Sequence, residues 1–193
     1  MTLESYWNER LKNNFNLKGV GNFGYPKFYN WIMYRFKKKI LSDNLSKLDL
    51  IGTVLDVGCG TGAYINNFNG LRYTGIDITE ESINRLSKKY EHRFIKGDIS
   101  NLCLNENFDL VCCFNILSHI TDDTKFKNAL ENISRMSKKY IFIMDVFGNK
   151  EKETVKCRDI LKHKKNLVDF TLIKLIKIPF NFGEELAIFE KEV

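Results

Sequence analysis

Thr53-Val54-Leu55-Asp56-Val57-Gly58-Cys59-Gly60-Thr61-Gly62, with its continuation Leu71-Arg72-Tyr73-Thr74-Gly75-Ile76-Asp77-Ile78-Thr79, is the stretch on which the fold turns. Residues 53–57 form a short apolar, β-branched run of the kind that makes a strand buried on both faces of a parallel sheet. The run stops at three alternating glycines. These admit torsions closed to other residues and let the backbone meet a ligand with no Cβ in the way. A helix is expected from about Ala63, its free N–H groups facing the loop. The second strand delivers Asp77 at its carboxyl edge, about 20 residues after Asp56, a spacing that suits a carboxylate reaching a ribose diol.

Gly58-x-Gly60-x-x-Ala63 also satisfies the loose dinucleotide fingerprint, so the loop alone leaves a nicotinamide cofactor open. Asp56 argues against it. A carboxylate at the loop repels a pyrophosphate but suits a ligand carrying an ammonium and a sulfonium, as S-adenosyl-L-methionine does. The segments VLDVGCGTG and GIDIT resemble the first two motifs of class I S-adenosylmethionine-dependent methyltransferases. Phe94-Ile95-Lys96-Gly97-Asp98-Ile99 resembles the family's third-strand motif, and Phe108-Asp109-Leu110-Val111-Cys112-Cys113-Phe114-Asn115 its fourth strand. The four pieces, in order and at βαβ spacing, span residues 52–147.

That resemblance implies a Rossmann-like α/β three-layer sandwich. Its sheet has seven mostly parallel strands in the order 3-2-1-4-5-7-6, with strand 7 antiparallel. It also assigns residues to the cofactor. Asp56, Gly58, Cys59, Gly60 and Gly62 would hold the methionine part, and Asp77, with Ile78 beside it, the ribose hydroxyls. Asp98 with Ile99 would hold the adenine edge, and the Asn115 carbonyl the cofactor ammonium. The product would be S-adenosyl-L-homocysteine.

At 193 residues, with 44% hydrophobic and 28% charged content, the chain reads as one globular domain. Residues 1–50 would be a helical lid and 51–193 the cofactor-binding core. No apolar run approaches the ~20 residues of a membrane span, and the first residues lack the pattern of a secretory signal, so a cytoplasmic location is expected. The five cysteines show no paired spacing, which argues against disulfides and zinc, and no metal is expected. The net charge of +6 comes from scattered lysine clusters (residues 37–39, 88–89, 138–139 and 162–165). Near predicted helix ends and without interleaved aromatics, they read as solvated faces and not as a nucleic-acid footprint.

Ahead of the first strand, residues 5–14 and 27–41 read as helices joined by a glycine-rich connection. Tyr6, Trp7, Phe15, Phe23, Tyr25, Phe28, Tyr29, Trp31, Tyr34 and Phe36 crowd this segment. Such density requires packing onto the core, and the family resemblance adds a sharper role in roofing an acceptor pocket. Tyr6, Trp7, Tyr25 and Tyr29 are the candidate contacts. After Asp77, Thr79 is a plausible N-cap, and Phe126, Ala129, Leu130, Ile133 and Met136 mark an amphipathic helix. In the tail, residues 151–163 read as a last helix, and residues 166–180 and 185–190 as a hairpin joined by Asn181-Phe182-Gly183.

His119 is the candidate general base, since imidazole accepts a proton near neutral pH; its alternative is a purely structural bond to the backbone. Asn115-Ile116-Leu117-Ser118 lacks the Asn-Pro-Pro-Tyr type of motif used on planar nitrogens, which argues against nucleobase and glutamine methylation. The first reading is methyl transfer to an oxygen or nitrogen of a small-molecule acceptor by a monomer or homodimer. Three alternatives stay open: an RNA or protein methyltransferase, a non-catalytic S-adenosylmethionine-binding partner subunit, and a nicotinamide-dependent reductase.

Overall fold

The computed structural model describes residues 2–21, 24–48, 52–102, 104–152, 154–179 and 183–192. Phe23, Cys103, the lid boundary at residues 50–51 and the Asn181-Phe182 turn lie outside them. The chain runs α1 (Leu3–Asn13), α2 (Leu17–Val20), α3 (Lys27–Leu45), β1 (Thr53–Val57), β2 (Arg72–Asp77), α4 (Glu80–Lys89) and β3 (Arg93–Lys96). It continues through β4 (Phe108–Phe114), α5 (Asp123–Met136), β5 (Ser137–Val146), β6 (Glu151–Lys152), β7 (Val155–Lys156), β8 (Phe170–Lys177) and β9 (Glu184–Lys191).

The seven-stranded sheet has the order β3-β2-β1-β4-β5-β9-β8, parallel from β3 to β5, with β9 antiparallel to both neighbours. This is the Rossmann-like methyltransferase topology expected, with a two-residue-a-side hairpin (β6-β7) inserted before the last two strands. Alternation along the central strands splits the core into two layers. Leu55, Val57, Val111, Cys113, Ile141 and Ile143 face α5, whose Phe126, Leu130 and Ile133 are buried on them. Val54, Leu110, Cys112, Phe114, Phe142 and Met144 face α3 and α4, through Tyr34, Leu41 and Leu86. Strands apolar on both faces are what a sheet covered on both sides demands. Cys112 and Cys113 fall on opposite faces, and the cysteines at 59, 112, 113 and 157 are free and buried. Among the described residues no helix is long and apolar enough to cross a membrane, and no cluster of metal-ligating side chains occurs.

Three expectations are corrected. No α-helix follows the glycine loop: only a 3-10 turn over Ile65–Phe68 fits before Gly70, at φ 89°, sends the chain into β2. The segment is short and rich in asparagine, so a costly helix nucleus has little to propagate into. The expected helix at 151–163 is instead the β6-β7 hairpin and a 3-10 turn over Ile160–Asn166. Arg158 gives the reason: its buried guanidinium donates to the Ile120 and Thr121 carbonyls (2.8 Å each) and to the Asp123 carboxylate (2.8 and 3.0 Å). That anchor holds the chain against the N-terminus of α5, where β-branched Thr154 and Val155 favour extended backbone. Finally, α3 runs on to Leu45, so Lys37 is mid-helix. It is buried and paired with Glu184 (2.6 Å), while Lys39 is exposed and pairs with Asp43.

Arg158→Ala should therefore lower the free energy of unfolding by about 2–4 kcal/mol, through loss of a buried, charge-assisted network. Urea denaturation checks this; a change under about 0.5 kcal/mol would mean the tail is held by packing alone.

Candidate active site

The turn from β1 runs through three glycines whose φ values are 75° (Gly58), 52° (Gly60) and 73° (Gly62). Its amides are tied to β2. Gly58 and Cys59 donate to the Ile76 carbonyl (2.7 and 3.0 Å), and Gly60 donates to Asp77 Oδ2 (2.8 Å). A Cβ on Gly58 would come within 2.1 Å of Ile116 Cδ1, and one on Gly60 within 2.9 Å of Val20 Cγ1. Cys59 is buried beside Gly75, where only a small residue fits. With no α-helix N-terminus behind it, the loop lacks the helix dipole that favours phosphate groups.

The loop forms the floor of a cleft of about 900 Å³, counted out to its open mouth. The cleft lies at the carboxyl ends of β1 to β4, where ligands of open α/β sheets bind. Of the residues expected there, Gly58, Cys59, Gly60, Asp77, Ile78, Asp98, Ile99, Asn115, His119 and Trp7 line it. The structure does not bring the others to its wall. Asp56 is buried beneath the loop on the α3 side, and Gly62 turns toward Ile65 and Leu86. Tyr25 and Tyr29 pack on each other at a tilt, their ring centroids 4.5 Å apart, and neither lines the cleft. Tyr6 accepts from Arg10 Nη1 (3.0 Å) and sits edge-on to Trp7. The lid enters instead through Leu3, Trp7, Leu11, Val20 and Tyr34.

Two buried carboxylates set the electrostatics. Asp77 Oδ1 accepts from Thr79 N (2.9 Å) and Thr79 Oγ1 (2.6 Å), so one side chain joins the loop to the start of α4. Burial raises its pKa, against the opposing pull of those bonds. Asp56 accepts from the Tyr73 hydroxyl (2.7 Å), and burial raises its pKa to about 7, the Tyr73 bond lowering it and the Asp77 charge raising it. Asp98 is capped by Ser100, whose N and Oγ both donate to Oδ1 (2.9 and 2.8 Å). His119 Nδ1 lies 3.3 Å from the Thr154 carbonyl, which can only accept, so Nδ1 carries the proton. Its ring meets Trp7 edge-on at 5.0 Å, and burial holds its pKa below 6.5 while Asp145 pulls the other way.

Asn115 ends β4 in the left-handed region (φ 57°). Its amide is held at both ends: Lys37 Nζ donates to Oδ1 (3.1 Å), and Nδ2 donates to Glu184 Oε1 (2.7 Å). Sequence reasoning missed this clamp, and also Tyr34 and Tyr64 in the cleft wall. Tyr64 stands two residues past the last loop glycine, a cue that was available. Glu184 lies 69 positions from Asn115 and meets it only through the antiparallel return of β9.

Residues 54–140 match a family profile described as "Methyltransferase domain". A ubiquinone biosynthesis O-methyltransferase of Actinobacillus pleuropneumoniae is 35% identical over 82 residues, covering 36% of this chain and 35% of that protein. The chain spans between about a third and a half of the length of the curated relatives it matches. Among solved structures, magnesium protoporphyrin IX methyltransferase from Synechocystis, with bound SAM, superposes with a TM-score of 0.75 at 16% identity over 98% of this chain and 95% of that one. The N-methyltransferase NodS from Bradyrhizobium japonicum, in complex with S-adenosyl-L-homocysteine, gives 0.71 at 18% identity over 96% and 98%. The chain is therefore similar to methyltransferases in a profile over residues 54–140, and its fold is that of solved methyltransferases.

The raised pKa of Asp56 has a sign in stability. With a folded value of about 7 above the unfolded 3.8, its contribution is fully present below about pH 4 and is lost as pH rises through about 7. Between those limits the free energy of unfolding should fall by up to about 4 kcal/mol from this group. Asp56→Asn should remove that slope; denaturant titrations at pH 5 and pH 8 compare the two proteins, and equal slopes would place the proton elsewhere.

Proposed function

We propose that this chain transfers the methyl group of S-adenosyl-L-methionine to an oxygen or nitrogen of a small-molecule acceptor. The observation that carries the reading is the glycine loop: three left-handed glycines close to buried Asp56 and Asp77, with no helix N-terminus behind them. Such a loop favours a cationic ligand over linked phosphates. The residues present fit the group: the backbone of Gly58 and Gly60 lines the cleft, with the Asp77 and Asp98 carboxylates at the ends of the next two strands. When bound, the cofactor supplies an already activated methyl on sulfur.

What remains for the protein is placement and exclusion of water. Asp77, held by Gly60 and Thr79, is positioned for the ribose hydroxyls; Asp98 and Ile99 are positioned for the adenine edge. The clamp on the Asn115 side chain fixes the residue whose carbonyl would meet the cofactor ammonium. Asp56, only partly ionised near pH 7, adds to the Asp77 field from beneath the loop and lies outside the cleft wall. Trp7 and Leu11 roof the cleft. His119, with its proton on Nδ1 and its pKa depressed by burial, stays neutral at pH 7 and leaves Nε2 free to take a proton.

A small acceptor is favoured over RNA or protein because, among the described residues, no lysine or arginine lines the cleft. A macromolecular acceptor calls for basic side chains converging on the mouth.

Incubation with labelled cofactor and a panel of small hydroxyl and amine compounds, read by a mass gain of one methyl, tests the reaction. His119→Ala should lower kcat/KM by about 10²- to 10⁴-fold, and the parent rate should fall on the acid side, at a pH lower than for an ordinary imidazole. Cofactor binding without transfer to any compound would instead describe a non-catalytic subunit, and an undiminished rate in the variant would leave His119 structural.

A further inference from the structure

The aromatic crowding of the N-terminal segment calls for packing onto the core, yet two of its rings stand in solvent. Phe28 is 69% exposed and Trp31 48%. Both sit on α3, whose buried stripe, through Met33, Tyr34, Lys37 and Leu41, is turned to the body of the protein. On the other side Phe28, Trp31, Arg35 and Lys39 recur at steps of three and four residues, so they share one face over successive turns. Their side chains touch. The Phe28 and Trp31 rings are stacked, with centroids 6.1 Å apart, and the Arg35 guanidinium lies 4.9 Å from the Trp31 centroid. Lys27, one turn before Trp31, is exposed as well. Among the described residues neither Lys27 nor Arg35 enters an ion pair, and Asp43, the sole acidic residue of α3, is taken by Lys39 (2.9 Å).

We infer that this outer face of α3 docks on an anionic lipid bilayer, with Phe28 and Trp31 entering the interfacial layer and Lys27 and Arg35 meeting the headgroup phosphates. Large rings held in water are relieved by insertion at the headgroup boundary, and tryptophan suits that layer because its apolar ring carries a polar N–H. The two unpaired cations beside them supply the charge complementarity, each strengthening attachment to an anionic surface about 5-fold. Two other occupants fit this face less well. A second copy packed across a two-fold axis would set Lys27 and Arg35 against the same residues, like charge on like charge. A nucleic-acid strand wants open ring faces for its bases, whereas Trp31 is flanked by Phe28 from the turn before and Arg35 from the turn after. Neither ring lines the cleft, so the inference is independent of the methyl-transfer reading. It does bear on that reading. Tyr34, on the buried side of the same helix, lines the cleft, and docking would set the cleft about one helix width, ~10 Å, from the lipid.

The test is flotation of the full chain with vesicles of phosphatidylcholine alone or with about a third phosphatidylglycerol. The anionic vesicles should be bound about 10-fold or more tightly than the neutral ones, and raising salt from ~0.1 M to ~0.5 M should remove most of that difference. Phe28→Ala combined with Trp31→Ala should weaken attachment about 10-fold or more, and Lys27→Gln or Arg35→Gln about 5-fold each. Because these side chains stand in solvent, every variant should melt within about 2 °C of the parent. Brominated lipids should quench the parent's tryptophan fluorescence, and Trp31→Phe, which keeps only Trp7, should lose that quenching. No attachment to either vesicle, equal attachment to both, or attachment that survives the double aromatic variant would overturn the inference. A double variant melting far below the parent would place the two rings in the core and overturn it as well. So would a dimer in sedimentation velocity that Trp31→Ala dissolves, or a single-stranded RNA held more tightly than the anionic vesicles and released by the same substitution.

Discussion

The turn after β1 has to reverse in the left-handed region while the amides of Gly58, Cys59 and Gly60 are pinned to β2. Gly58 and Cys59 share the Ile76 carbonyl, and Gly60 is fastened to Asp77, so the loop cannot relax without breaking the edge of the sheet. That tether brings Asp77 to the cleft, puts Asp56 below it against Tyr73, and leaves the glycines as the floor. The loop sets backbone in the cleft wall beside Ile116 and Val20, with negative charge behind it.

A second constraint acts at the far end of the same cleft. Lys37 from the lid helix and Glu184 from the last strand grip Asn115 between them, so the lid, the end of β4 and the antiparallel return of the sheet meet at one buried triad. A buried ion pair is a weak source of stability, and its better-attested use is to fix one arrangement among several. Here the arrangement fixed is the left-handed Asn115 and the seating of α3 over the sheet. The lid thus contributes structure as well as cover.

The central architecture could be read from the chain because it is local. Residues 53–57 and 108–114 are apolar on both faces, and only a sheet covered on both sides accommodates that. The stripe through Leu130 and Ile133 likewise announces α5. The errors arose where tertiary contacts outweigh local pattern. Charged residues in 151–163 look helical until Arg158 is seen locked onto the carbonyls at the start of α5. Lys37 looks like one of three solvated lysines until Glu184 arrives from the other end of the chain. The helix expected after the glycine loop failed because ten residues could not both turn and return to β2, something a motif match does not measure. Most of the residues expected to face a cofactor sit on consecutive strand ends, and the structure brings them to one cleft; Tyr25 and Tyr29 were named for their type, and type alone does not say which way a helix faces.

The central claim is that the cleft discriminates by charge, accepting an adenosyl donor with positive groups and refusing linked phosphates. Isothermal calorimetry of the purified chain against S-adenosyl-L-methionine, S-adenosyl-L-homocysteine and an oxidised nicotinamide dinucleotide measures it directly. Saturable heat with both adenosyl compounds and none with the dinucleotide is the predicted result. Saturation by the dinucleotide, with no heat from either adenosyl compound, would contradict it.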